Sequence, residues 1–426
     1  MPRPPQSDRP WRPPRPIGRL LSPFLPVAEI TRGDWWVVFT LWIVGTLIGW
    51  SQGQASALLP FTRSDLGLSE GEMSLVLAIA RLASLAAIGF GVYADRRGRR
   101  RPLLVAIVVL LVAGLASSLV TTGAGYAITQ SFARIGGVAS GTLAVILMAE
   151  TISPRIRAYA IGILGAAGSL GAGFSVMGLP LVEVVPGGWR TVHALPVVGL
   201  VLIPVLWRIL PQESSRHQGK PVSWELVHDE ARRRLVLVSV IGFPWAAFTA
   251  VALAFTTERL IEDLAFGAGA AALLSLGGGT LGGAGFFVGG RLADGWGRRP
   301  TTILAFGLTI VGGLALFRVS SVGPLLGAIF LSAFGSFMAV PAAGSHRAEL
   351  FGGKVRALAN MVTTYVGTVG SAGGLLLGSL VIDDIGLNST LALLAVGVAV
   401  GMALTLALPE TLGKPMEGEA GTPGGL

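Results

Sequence analysis

The sequence predicts an all-α membrane protein, with twelve transmembrane helices arranged as two pseudo-symmetric six-helix bundles. Three observations predict it. Of 426 residues, 52% are hydrophobic and 13% charged, with 61 glycines and a mean hydropathy of +0.70, a balance too apolar for a soluble domain of this length. Apolar stretches of about 20 residues recur between short polar turns, the length a helix rising 1.5 Å per residue needs to cross roughly 30 Å of hydrocarbon. Finally, one basic turn occurs twice, as Gly91-Val-Tyr-Ala-Asp95-Arg96-Arg-Gly98-Arg99-Arg100 and as Gly290-Arg-Leu-Ala-Asp294-Gly-Trp-Gly297-Arg298-Arg299. Adding 199 to Gly91, Ala94, Asp95, Gly98, Arg99 and Arg100 lands each time on the same residue type.

In chain order, helices 1 to 6 are expected at 34–59, 73–94, 102–121, 125–148, 158–181 and 191–210. Helices 7 to 12 are expected at 235–257, 268–292, 301–318, 324–346, 356–380 and 389–408. The chain thus divides into a Pro/Arg-rich tail (1–33), a first bundle (34–210), a polar central loop (211–234), a second bundle (235–408) and a Gly/Pro-rich tail (409–426). The first tail lacks the apolar core of a signal peptide and reads as disordered and polyproline-like.

The charge balance of +9 would suit a polyanionic partner, but position argues for topology instead. Arg63, Arg190, Arg259 and Arg318 mark one face, whereas most of the 32 Lys and Arg residues sit in the tails and in the turns of the other. By the positive-inside rule both termini are cytoplasmic and the chain is a multi-pass protein of the cell's inner (plasma) membrane. No nucleic acid is expected, and the expected partner surface is the lipid bilayer. Cysteine is absent, so there is no disulfide framework and no thiolate metal site.

The lag of 199 extends beyond the turns. It pairs Glu150 with Glu349, Arg157 with Arg356, Ala158 with Ala357, Gly168 with Gly367 and Gly171 with Gly370. Each half closes on a similar sequence, Leu210-Pro-Gln-Glu213-Ser and Leu408-Pro-Glu410-Thr-Leu-Gly. Six helices per half is an even number, so the halves are parallel repeats about an axis along the membrane normal. From about residue 34 to 413 these motifs resemble the major facilitator superfamily of secondary transporters. The doubled Gly-x-x-x-Asp-Arg-x-Gly-Arg-Arg turn carries the resemblance, and the Glu…Arg turns with the Pro-Glu endings look like its sugar-porter and organic-ion branches. Gly295 stands where the first copy has Arg96, and Gln212 is inserted in the first ending. The resemblance implies movement of a small solute by alternating access, whether as symporter, antiporter or uniporter.

Gly98 and Gly297 allow a tight reversal between antiparallel helices, and the arginines hold the turns at an anionic leaflet. Asp95 and Asp294 end helices, where negative charge is unfavourable without a partner. The resemblance implies that these charges bridge the halves when the inside is closed. Asp95 would then cap helix 11 near Arg356, and Asp294 helix 5 near Arg157. The alternative is that Gly91, Asp95, Arg96, Gly98, Arg99, Arg100, Glu150, Arg157 and their counterparts Gly290, Asp294, Gly297, Arg298, Arg299, Glu349 and Arg356 only set topology. Rows of glycine, 162, 165, 168 and 171 on helix 5, 278, 282, 285 and 289 on helix 8, and 370, 374 and 378 on helix 11, suit either sliding of the halves or close static packing.

In such a fold the solute site is expected near the midplane between the halves. All 23 acidic residues fall at helix ends, loops or tails, whereas Arg81 of helix 2 and Arg134 of helix 4 lie well inside the span, at similar depth. An arginine there costs roughly 2.5–3.5 kcal/mol on insertion scales and is normally turned to a cavity or partner. Two without a carboxylate point to an organic anion, or to a structural brace made by Arg81 with helix-11 carbonyls or Glu258. Arg134 also resembles an arginine of helix 4 in drug–proton antiporters, which would export amphipathic compounds. Helical spacing adds Trp50 with Gln54, Gln130 with Arg134, and Trp245 with Thr249; Phe337, Asn360 and Tyr365 complete the candidates. Proton coupling usually uses an intramembrane Asp, Glu or His; His193 and His346 are not central, so coupling stays open.

An enzyme would need a metal-binding His/Glu cluster or a nucleophile beside a base. The four histidines are scattered, and neither catalysis, metal nor cofactor is expected. A sensor built on this fold would add a soluble domain, for which the central loop is too short. A monomer is expected.

Overall fold

The computed structural model describes residues 31–152, 157–210, 229–351 and 353–412. The two tails and most of the central loop lie outside them, as do the side chains of Arg157 and Arg356. Among the described residues, eleven helical runs are long and apolar enough to cross a membrane, and the last of them breaks in two at Gly386, where φ is 77°. The crossings are α1 (Arg32–Ala57), α2 (Glu70–Arg97), α3 (Arg100–Ser117), α4 (Gly123–Thr151), α5 (Arg157–Met177), α6 (Trp189–Ile209), α7 (Asp229–Glu258), α8 (Ala268–Gly295), α9 (Arg298–Leu316), α10 (Val322–Leu350), α11 (353–385) and α12 (387–405). The all-α expectation and the two six-helix halves therefore hold.

Local chemistry sets several boundaries. Thr31 and Asp34 form a reciprocal capping box at the start of α1, and Ser69 with Glu72 forms another at α2. The second moves the start of α2 from the expected 73 back to Glu70, because a side chain satisfies the first free N–H groups. Gly98 (φ 81°) and Gly297 (φ 127°) take the left-handed backbone expected of the basic turns. Three crossings are not uniformly α-helical: α2 tightens at Ser84–Ala87, α6 at Leu195–Leu202, and α8 is interrupted by a turn at Gly283.

The duplication persists to single contacts. A Cβ on Gly136 would meet Leu110 N at 2.6 Å and Ala106 O at 2.7 Å; one on Gly335 would meet Thr309 N at 2.5 Å and Ala305 O at 2.7 Å. Each residue of the second set is 199 beyond its counterpart, so α3 crosses α4 as α9 crosses α10. Helix 8 resolves one open reading: a Cβ at Gly278, Gly282, Gly285 or Gly289 would strike α10, so this row packs statically within its own half. Helix 5 divides, with Gly171 against the Thr46 carbonyl and open space around Gly162 and Gly165.

The halves meet at the face away from the basic turns. There the Arg63 guanidinium Nε donates to Glu258 Oε1 at 2.6 Å. Ser69 Oγ and Gly71 N both donate to the Asp383 carboxylate, at 2.6 and 3.0 Å. Glu183 accepts from Ala268 N at the start of α8 at 3.0 Å. Deeper in, Ser74 Oγ of α2 donates to Leu375 O of α11 at 2.6 Å. Among the described residues, the hydrogen bonds between halves all lie in this upper part of the molecule.

Candidate functional site

Arg81 is twelfth in α2 and Arg134 twelfth in α4, so each lies about 16 Å along a helix that enters from the joined face. Arg134 is partly buried, and its Nη1 donates to Gln52 Oε1 at 2.7 Å. Gln52 of α1 in turn donates from Nε2 to Ala133 O at 2.8 Å. It can lie along α4 because Gly137 is beneath it; a Cβ there would collide with the amide. Arg81 is within electrostatic reach of Arg134, and its Nε is buried with no partner. Among the described residues no carboxylate forms an ion pair with either. Two like charges and a free donor at one depth hold a net positive potential in low dielectric, which an anionic group would neutralise. Arg81 is not paired with Glu258, whose oxygen is taken by Arg63.

The remaining candidates scatter. Gln54 turns into the first bundle, donating to Val192 O at 3.1 Å, and Gln130 joins Ser117 (3.0 Å) and His193 (3.3 Å). Tyr126 and Trp189 set their rings edge-on to the same histidine, so α4 points Gln130 and Arg134 at different neighbours. Trp50 packs edge-on with Phe174 at 6.1 Å. Phe337 stacks on Phe286 of α8 at 4.8 Å. Trp245 stacks on Phe306 of α9 at 5.6 Å, inside the second bundle, and Thr249 donates to its carbonyl. Asn360 is exposed and Tyr365 partly buried. The residue missed was Gln52. Its polar side chain between Trp50 and Gln54 was the available signal, but spacing alone does not say which face of α1 meets α4.

At the basic face the charges pair within each half. Arg99 bridges Asp95 (2.5 Å) and Glu150 (3.3 Å); Arg298 bridges Asp294 (2.5 Å) and Glu349 (2.9 Å). Asp95 and Asp294 stay 69% and 76% exposed, free to change partner. The second half adds a cap: Glu410 accepts from the backbone N of Arg298 and Arg299, both at 3.0 Å. Burial would raise the Glu410 pKa, but the N–H groups of Leu412, Arg299, Arg298 and Thr411 outweigh it and hold the carboxyl below its ordinary value. In the first half Arg100 instead lies over the Trp207 ring at 4.6 Å.

Comparison with known proteins agrees with this architecture. Residues 41–284 match the family model of the Major Facilitator Superfamily, and residues 209–419 match that of sugar and other transporters. A probable 4-methylmuconolactone transporter of Cupriavidus pinatubonensis is 26% identical over 406 residues, covering 90% of this chain and 92% of that protein. A gallate transporter of Pseudomonas putida is 26% identical over 186 residues, 43% of this chain, and the match spans 41% of that protein. The crystal structure of a D-xylose-proton symporter superposes with a TM-score of 0.72 at 18% identity, covering 90% of this chain and 99% of that one. With a family model spanning more than half of its length, a doubled basic turn and twelve crossings in two halves, the chain belongs to the Major Facilitator Superfamily of transporters.

Proposed function

We propose that the protein carries a small organic carboxylate across the membrane by alternating access, with Arg134, positioned by Gln52, as the anion's principal partner and Arg81 as the second cation. The observation that carries the reading is the pair of arginines at one depth with no carboxylate. The gallate match supports this solute class, since gallate is a ring carboxylate, and the longer match, to a probable transporter of a lactone, supports a small ring compound. The joined face, tied by Arg63–Glu258 and Ser69–Asp383, is then the outer gate in its closed state. The within-half pairs of Asp95 and Asp294 are the inner gate released. With the basic turns cytoplasmic by the positive-inside rule, this is an inward-open conformation. Closing the inside requires Asp95 and Asp294 to exchange Arg99 and Arg298 for the opposite half, toward Arg356 and Arg157.

Uptake of radiolabelled gallate and benzoate into proteoliposomes tests the reading. Arg134→Gln is expected to lower kcat/KM at least 100-fold, and Arg134→Lys, which keeps charge but loses the planar fork, about 10-fold. Uptake unchanged in both variants overturns it. Repeating the assay with and without an imposed pH gradient decides coupling: accumulation above the external concentration only with the gradient marks a proton symporter.

A further inference from the structure

The second bundle contains a cavity. About 170 Å3 in volume, it lies between α7, α9, α10, α11 and α12, toward the basic face. Its polar lining comes from Ser239, Thr302, His346, Arg347, Thr363 and Thr405, and its aromatic wall from Trp245 stacked on Phe306. Four of these polar positions, Thr302, His346, Arg347 and Thr363, fall with Phe306 within the helices where the 199-residue lag holds. Subtracting 199 gives Leu103, Leu147, Met148 and Leu164, with Ile107 for Phe306. All five are buried, at 0 to 7% exposure, in one continuous apolar cluster. One architecture thus places apolar side chains at these positions in the first half and a polar-lined space in the second.

Two donors in that space lack an acceptor. The Nε of Arg347 and the Nε1 of Trp245 are buried without a hydrogen-bond partner. Nη1 of Arg347 reaches Thr363 Oγ1 at 3.3 Å, and among the described residues no carboxylate pairs with it. A buried donor without a partner is destabilising, more so when it belongs to a cation, so Arg347 at the position equivalent to Met148 demands compensation. The missing group is an acceptor with negative charge. The rest of the wall, including Ile241, Ala343, Val366 and Leu408, is apolar. A cavity of about 150 Å3 accommodates one benzene ring.

We propose that this cavity is a second binding site, separate from the Arg81–Arg134 pair, for a carboxylate carried on a single ring. Arg347 and Trp245, whose Nε and Nε1 are covered in this conformation, turn them to the carboxylate as the ligand enters, and the Trp245–Phe306 pair packs on the ring. The site does not depend on Arg134 being the transport site, because it is built entirely of second-half residues.

Equilibrium binding of radiolabelled benzoate to purified protein in detergent tests it. Arg134→Gln is expected to leave a saturable component that Arg347→Met, which restores the residue found at 148, removes. Trp245→Phe, which keeps the ring and deletes the N–H, is expected to weaken that component about 3- to 10-fold. Because Arg347→Met replaces a partly buried cation with one unpartnered N–H by the apolar residue found at 148, its ligand-free melting temperature is expected to equal or exceed that of the wild type, which reports that the variant is folded. Methylbenzoate is expected to displace the label, whereas decanoate, a lipid-type acid too long for the space, does not. Loss of all saturable binding in Arg134→Gln overturns the second site and leaves the transport proposal intact. A component unchanged in both Arg347→Met and Trp245→Phe, or displaced by decanoate alone, also overturns it.

Discussion

The two halves share a frame and differ in where they place polarity. Positions 199 apart keep the basic turns, the Arg99 and Arg298 bridges and the close crossing at Gly136 and Gly335. Two residues before those glycines, however, the first half has Arg134 and the second has Ala333. Toward the basic face the bias reverses, with Met148 in an apolar cluster and Arg347 at a polar-lined cavity. Residues that hold helices together tolerate little change, because a methyl group at Gly136 or Gly335 would strike backbone atoms. Residues that face a space between helices are free to diverge, and there the repeats acquired different chemistry.

The largest effect expected outside the arginine pocket comes from the joined face. Glu258 is 1% exposed and paired only to Arg63; Arg63→Met strands a buried carboxylate, worth about 3 kcal/mol, or about 100-fold in the equilibrium between open and closed outer faces. The chain has no cysteine, so a single cysteine placed at Leu58 reports opening by thiol labelling without background. Labelling no faster than in the parent would show that the pair does not hold this face shut.

A smaller effect, confined to the second half, is expected at Glu410. Glu410→Gln is expected to cost about 1–3 kcal/mol through weakened charge-assisted bonds to the start of α9, read as a fall in melting temperature. The sign with pH follows from the depressed pKa. The contribution is present above the ordinary carboxylate value of 4.5 and is lost as pH falls through the lower folded value. Variant and wild type should therefore converge in acid; a gap that widens in acid would reverse the assignment. The counterpart in the first half, Trp207→Leu, removes only the cation–π contact with Arg100 and is expected to cost about 0.5–1 kcal/mol. The smallest shift in melting temperature is expected for Asp95→Asn and Asp294→Asn, exposed pairs worth less than about 1 kcal/mol each. Their effect should instead appear in labelling of cysteines placed in the inner opening, and unchanged labelling there would reduce both aspartates to topology.

Much of the fold was legible because its causes are local. Twenty-residue apolar runs and Gly98 and Gly297 at left-handed turns are each written within a few residues; the Ser69…Glu72 capping box is equally local but was missed, so helix 2 was expected to start at 73 instead of Glu70. Arg81 and Arg134 were legible as charges far from any helix end. Gln52 was harder, since helical spacing ranks residues by face without fixing which face meets α4. The cavity was illegible for another reason. Each of its differences from the first half, Leu103 to Thr302 or Leu164 to Thr363, is unremarkable alone, and only the assembled bundle brings five of them to one place. Which face is joined is a property of one conformation, and no local sequence pattern specifies it.

The most direct measurement is gallate counterflow in proteoliposomes carrying wild type and Arg134→Ala, which writes the second half's Ala333 into the first. Anion recognition by the first half predicts rapid exchange in the wild type and loss of at least 100-fold in the variant. Exchange within two-fold of wild type would contradict it.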